Sequence, residues 1–202
     1  MIAALDNLWI ALRWNRRERG GRSYVVATVP PGAVCAEIGV WKGDFSARLL
    51  ATGRIAALHL VDPWTFQPDY PVRFYGGGIA KSQADMDAIH AGVRDRFAAA
   101  PQIQVHRASS LDAARQFPDG MFDWLYIDGD HSYRPVLDDL TAWLPKLKSS
   151  GIICLDDYFW RDEAGRRSVK DAIDAFLARQ PVARAQRVGG QFILRAAAGS
   201  PK

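Results

Sequence analysis

The sequence predicts an α/β fold: a mostly parallel sheet flanked by helices and closed at its C-terminal end by an antiparallel hairpin. Three observations carry this. Short apolar runs alternate with helical patterns along most of the chain. Acidic residues and glycines fall just after the apolar runs, where open parallel sheets bind their ligands. A Gly189-Gly190 pair separates two extended segments near the end, and two glycines supply the positive φ angles of a tight hairpin turn.

The first strand is expected over residues 34–38 (Val-Cys-Ala-Glu-Ile), after the breaker Pro30-Pro31-Gly32, with a helix following over 43–50. Residues 55–61 make a second strand, stopped at Asp62-Pro63 because proline cannot donate to the ladder. A helix over 83–99 leads to a short third strand at 103–106, and a short helix over 111–116 leads to the apolar fourth strand at 122–127. Residues 135–147 form the next helix, 151–155 the fifth strand and 168–179 the last helix. The hairpin takes residues 182–188 and 191–194. Residues 63–82, rich in proline, glycine and aromatics, are too long for a simple connection and read as a lid-like insertion. Residues 1–32 read as an N-terminal helical extension of a single domain over 1–202.

Composition bounds the function. Of 202 residues, 24% are charged and 49% hydrophobic, an ordinary globular balance. The net charge of +4 is concentrated in Arg13, Arg16, Arg17, Arg19 and Arg22. Such a run attracts nucleic acid or anionic membranes. No nucleic-acid motif accompanies it and no aromatics interleave with it, so it reads as a solvated helix face and no nucleic-acid partner is expected. Cys35 and Cys154 sit in apolar runs as small hydrophobes. The apolar stretch 8–12 is too short for a membrane span and lacks a signal-peptide layout, so a cytoplasmic enzyme is expected, and a homo-oligomer is compatible with the sequence.

The loop Glu37-Ile38-Gly39-Val40-Trp41-Lys42-Gly43 joins the first strand to its helix. Glycine at 39 lets backbone approach a ligand, and glycine at 43 permits the turn into the helix. The spacing is neither Gly-x-Gly-x-x-Gly nor a phosphate loop. Asp62 lies about 20 residues further on, where an acidic side chain accepts ribose hydroxyls. Either signal alone fits a turn; in register they indicate a nucleoside cofactor without a pyrophosphate.

With these motifs in place, residues 33–157 resemble the class I S-adenosylmethionine-dependent methyltransferases. The likeness is greatest to a small bacterial family with Val-Asp-Pro-Trp after strand two and Ile-Asp-Gly-Asp-His-Ser-Tyr after strand four. That family is related to the macrolide-sugar O-methyltransferases and, more distantly, to catechol O-methyltransferase. The resemblance implies a Rossmann-like, seven-stranded sheet with helices on both faces and the last strand antiparallel. It implies S-adenosylmethionine as cofactor, with Glu37 favouring its cationic groups, the amides of Gly39, Val40 and Trp41 its carboxylate, and Ser109 the adenine. Ser109 equally suits a helix cap. Trp41, Trp64 and Trp160 follow strands and are either walls of the site or core; Trp64, beside Asp62-Pro63, is the best placed for the adenosine.

Asp128 after strand four and Asp156-Asp157 after strand five form the acceptor half. Converging carboxylates repel unless a cation sits between them, and Mg²⁺ prefers oxygen ligands. In catechol O-methyltransferase the metal ligands match Asp128 and the pair Asp156-Asp157, which implies a magnesium site here. Asp130 and Asp157 also suit turn or cap roles. His131 falls where that enzyme has its catalytic lysine, a departure that suits a general base of near-neutral pKa, or a residue outside the ligand shell. His59, His90 and His106 read as strand or surface residues, and Asp138-Asp139 as a solvated acidic helix turn. The expected reaction is metal-assisted O-methylation of a small-molecule hydroxyl on a sugar or catechol-like ring. Tyr70, Arg73, Phe74, Tyr75 and the glycines 76–78 would form a lid. The alternatives are a metal-independent methyltransferase and a non-catalytic cofactor-binding or scaffold protein.

Overall fold

A computed structural model describes residues 21–180, 182 and 184–196. Seven strands form one sheet: β1 (Ala33–Ile38), β2 (Ile55–Asp62), β3 (Ile103–Arg107), β4 (Phe122–Ile127), β5 (Leu147–Leu155), β6 (Arg184–Val188) and β7 (Gln191–Arg195). Their order is β3-β2-β1-β4-β5-β7-β6, parallel from β1 to β5 and antiparallel at β7. The helices are α1 (residues 21–27), α2 (Asp44–Leu50), α3 (Gln83–Arg96), α4 (Ser110–Gln116), α5 (Tyr133–Trp143) and α6 (Ser168–Leu177).

Successive strand residues face opposite sides, so the parallel strands feed two cores. On one face Cys35, Leu58 and Trp124 pack with Val25 of α1, Leu49 of α2 and Met86 and Val93 of α3. On the other, Ala36, Leu125 and Ile153 pack with Ala114 of α4, Leu140 and Trp143 of α5, and Ile173 of α6. This is the expected Rossmann-like arrangement, and both cysteines are buried and free.

Three boundaries differ from expectation by three residues or more. α3 stops at Arg96, three residues early. α5 stops at Trp143 and a short 3₁₀ turn, Leu144–Lys146, passes directly into β5, which starts at Leu147 rather than 151. Leu147 is buried opposite Phe122, and the exposed Ser149 and Ser150 hide the strand's first half from an apolar pattern.

His59 of β2 and His106 of β3 are strand residues, as expected, and their rings meet inside the sheet, Nδ1 to Nε2 at 2.9 Å. Phe117 packs edge-on against both rings and Phe122 against His59. Burial, then the neighbouring imidazole, pushes His59 down to about 4. Among the described residues no helix is long and apolar enough to cross a membrane. The basic residues Arg13, Arg16, Arg17 and Arg19 and the apolar stretch 8–12 lie outside the described residues.

Candidate active site

β1 turns to its neighbour β2 on one side while β4 lies on the other, and ligands of such sheets sit above that divergence. A crevice of about 910 Å³ opens there. Its floor is where β1 and β4 end: Asp128 N–H donates to the Ile38 carbonyl (2.7 Å) and Gly39 N–H to the Val61 carbonyl (2.9 Å). Gly39 has φ 90°, and a Cβ there would overlap the Asp128 carbonyl oxygen. Only glycine lets the two strand ends close. Gly43, at φ 76°, turns the chain into α2 against the Phe97 ring, but it does not line the crevice.

Asp62 is buried and fully engaged. Its Oδ2 accepts from the N–H groups of Val40 (2.9 Å) and Trp41 (3.0 Å) and from the Tyr75 hydroxyl (2.6 Å), and its Oδ1 from Trp64 N–H (2.7 Å). Burial raises its pKa and these bonds pull it back. Asp62, expected to receive ribose hydroxyls, lines the crevice and also clamps the loop, fixing the left-handed residues Trp41 (φ 53°) and Trp64 (φ 42°) on either side. The amides of Val40 and Trp41 point at Asp62. Glu37 lines the crevice, accepts from the Ser46 hydroxyl (2.6 Å), and is pushed up to about 8 by burial.

The tryptophans require a correction. Trp64 is wholly buried, donates Nε1 to the Trp41 carbonyl (2.9 Å), and is not at the crevice; Trp41 and Trp160 line it. Ser109 caps α4, its Oγ accepting from Asp112 N–H (3.2 Å), and it lines the crevice.

On the acceptor side, His131 Nε2 lies 3.4 Å from Asp128 Oδ1 and 3.5 Å from Asp157 Oδ2. Among the described residues, Asp128, His131 and Asp157 are the set whose ligand atoms all fall within 4.8 Å of one another. Asp156, expected as a ligand, lies outside this set. It is buried, its Oδ1 accepting from Asp157 N–H (2.7 Å) and Gln191 Nε2, its Oδ2 from the Tyr126 hydroxyl (2.9 Å) and Arg22 Nε (2.8 Å). Asp130 accepts from Ser132 N–H (2.8 Å) and from Arg73 (3.4 Å), the turn role that its type allows.

Arg22 is the residue that sequence reasoning missed. From α1 it reaches the crevice, where its guanidinium joins Asp156 and approaches Asp128 Oδ2 (3.3 Å). A cation does sit between the carboxylates, and it is an arginine counted among a solvated run. Burial pushes Asp128 up to about 7, the charge of Asp156 adds to this, and His131 and Arg22 oppose it. For His131 burial alone would lower the pKa, but the bond to Asp128 and the charges of Asp128, Asp157 and Asp156 outweigh it and the net shift is upward. Asp138, half-buried in α5 at the crevice, accepts from Arg134, whereas Asp139 is buried. Residues 63–82 fold over the crevice, with Tyr75 on Asp62, Arg73 over the Tyr70 ring (4.1 Å), and Trp41 against Phe74 and Tyr75.

The same fold recurs in solved structures. A Corynebacterium glutamicum protein is 15% identical, with a TM-score of 0.61 over 87% of this chain and 78% of that one. The Burkholderia thailandensis 1,6-didemethyltoxoflavin-N1-methyltransferase, solved with S-adenosylhomocysteine and its acceptor, is 14% identical, with a TM-score of 0.57 over 90% and 78%. The O-methyltransferase NovP is 18% identical, with a TM-score of 0.58 over 92% and 79%. At such identities the likeness is one of fold. Sheet order, antiparallel β7 and the loop at Gly39 define the class: the fold is that of a class I S-adenosylmethionine-dependent methyltransferase, and the protein is such an enzyme. The chain belongs to the methyltransferase-domain family, which matches residues 36–158. No curated protein matches it.

Proposed function

We propose that the enzyme methylates a hydroxyl of a small molecule, sugar or catechol-like, with a divalent cation assisting and His131 receiving the acceptor's proton. The observation that carries this is the convergence of Asp128, His131 and Asp157 beside the cofactor loop. The donor set fits a divalent ion: the carboxylates of Asp128 and Asp157 suit Mg²⁺, and an added imidazole suits a borderline metal. Such an ion, when bound, supplies Lewis acidity that lowers a hydroxyl's pKa.

The chain's own residues do the rest. His131 Nε2 faces both carboxylates, so it takes the proton if Asp128 and Asp157 hold the ion, and gives up that role if it becomes a ligand itself. The neighbouring carboxylates stabilise the imidazolium once formed. Trp160, 5.5 Å from the imidazole between ring centres, limits its rotation. Residues 63–82 act as a lid that excludes water, Tyr75 and Arg73 fastening it.

A second reading, metal-independent transfer, draws on Arg22, which already neutralises part of the acidic cluster. Sugars and phenols screened with methyl-labelled S-adenosylmethionine, with and without excess chelator, separate the two. Loss of transfer in chelator, restored by added Mg²⁺ or Mn²⁺, is expected; undiminished transfer overturns the metal. Transfer unchanged in His131→Ala overturns the base, and labelling confined to nitrogen acceptors overturns the hydroxyl.

A further inference from the structure

Arg73 enters the crevice from residues 63–82 with most of its hydrogen-bonding capacity unused. Its side chain is 22% exposed, and Nη1 meets Asp130 Oδ1 at 3.4 Å. Nε is shielded from water and, like Nη2, finds no acceptor among the described residues. Every nitrogen of a guanidinium is a donor, so one edge of the fork is unmatched. Two aromatic rings hold the group, Cζ lying 4.1 Å from the Tyr70 centroid and 5.6 Å from that of Trp160, but rings offer those donors no oxygen. Neighbouring acids are engaged elsewhere: Asp138 accepts from Arg134, Asp162 from Arg166, and Asp128 and Asp156 from Arg22.

Arg73 stands on the acceptor side of the crevice. Trp160 packs against His131 as well, 5.5 Å between ring centres, and Asp130 precedes His131 in the chain. Arg73 and His131 therefore share an indole ring and a loop as neighbours, a separation that one small molecule spans. A guanidinium edge matches a carboxylate bidentately, two parallel N–H groups meeting two oxygens. A neutral amide offers the fork a single oxygen and no charge. Because an unmatched buried donor is destabilising, such a site discriminates against an analogue that cannot fill it.

We propose that Arg73 binds a carboxylate on the methyl acceptor, its unmatched N–H edge receiving the two oxygens, so that the substrate is a hydroxylated carboxylic acid. The inference rests on the proposed transfer to a hydroxyl and narrows its substrate class. Trp41, Phe74 and Trp160 line the same crevice and suit a flat ring, which makes a catechol bearing a carboxylate the probe. The cofactor carries a carboxylate of the same chemistry, and the test separates the two sources.

The test compares methyl transfer to 3,4-dihydroxybenzoate and 3,4-dihydroxybenzamide, which share their ring hydroxyls and differ in charge, with S-adenosylhomocysteine affinity measured by calorimetry. The wild type is expected to favour the acid by at least about tenfold in kcat/KM. Arg73→Gln should erase that preference by raising KM for the acid, with amide transfer and S-adenosylhomocysteine affinity kept within about twofold. Arg73→Lys, which keeps the charge and loses the fork, should restore only part of it. Equal wild-type use of acid and amide overturns the inference, and so does the acid preference retained in Arg73→Gln, its fold checked by circular dichroism. Loss of S-adenosylhomocysteine affinity in folded Arg73→Gln, with the acid preference unchanged, would give the fork to the cofactor's carboxylate and overturn it too. The wild-type comparison needs no variant and decides if Arg73→Gln is unfolded. Wild-type transfer to neither compound overturns this inference alone; the hydroxyl reading beneath it falls only if the wider screen of sugars and phenols is also silent.

Discussion

Replacing Asp62 by asparagine should loosen the cofactor loop before any ligand is present. The carboxylate accepts from Val40 N–H, Trp41 N–H, the Tyr75 hydroxyl and Trp64 N–H, and it is 1% exposed. Asparagine has one oxygen. Turned toward Val40, Trp41 and Tyr75, it sets its NH₂ against Trp64 N–H and leaves that buried donor unmatched, at about 1–3 kcal/mol. The remaining bonds drop from charge-assisted to neutral strength, about 1 kcal/mol more. Turned the other way it strands three donors, so the first arrangement sets the cost at about 3 kcal/mol. For a chain of this size that lowers Tm by about 6–12 °C. Scanning calorimetry of the ligand-free protein measures it, with Tyr75→Phe, which removes one donor and leaves the oxygens, expected to shift Tm much less. If Asp62→Asn keeps the wild-type Tm yet loses S-adenosylhomocysteine binding, the carboxylate serves the ribose and the clamp reasoning is refuted.

The pair of buried His59 and half-buried His106 should make acid costly. The fold holds both rings neutral, while the unfolded chain protonates them below about 6.5, so this stability is present above that pH and is lost as pH falls toward 4. For His59 the loss amounts to about 3 kcal/mol. Glu37, Asp128 and Asp139, whose pKa values are raised, push the opposite way, so the quantity to measure is the difference between wild type and His59→Gln in urea unfolding from pH 7 to pH 4. A constant difference would exclude the pair as its source. Gly39→Ala should abolish S-adenosylhomocysteine binding, measured by calorimetry, because its Cβ would overlap the Asp128 carbonyl oxygen at a left-handed φ. Arg22→Met removes the cation from a carboxylate with no exposed side-chain surface and should cost about 2 kcal/mol in urea unfolding, below the range for fully buried pairs because Arg22 is 31% exposed.

What could be read from sequence follows burial on both faces. The runs at 34–38, 58–61, 124–127 and 152–155 are apolar because helices cover both sides of the sheet, so the parallel sheet and the crevice at its strand ends were legible. Cap and turn residues such as Ser109 and Gly43 act locally and were legible too. Missed were residues whose role depends on a distant partner. Nothing in a run of arginines says that Arg22 meets Asp156, 134 residues away. Trp64 follows a strand as site residues do, yet the left-handed turn there sends its ring into the core. Asp139 left a usable signal: it falls in the 136, 139, 140, 143 stripe of α5, whereas Asp138 does not.

The C-terminal hairpin has a meaning beyond finishing a sheet. Gln191, the first residue of β7, holds Asp156 from behind, and the same turn receives Gly21, where a Cβ would press on the Val188 carbonyl, so that Arg22 arrives at the acids. Residues 21–22 and the β6–β7 hairpin thus meet behind the acceptor half of the crevice. The family-matched stretch 36–158 is therefore not a portable catalytic cassette, because grafting it alone would carry the methyl donor's seat without the buttress that orients the acids across from it.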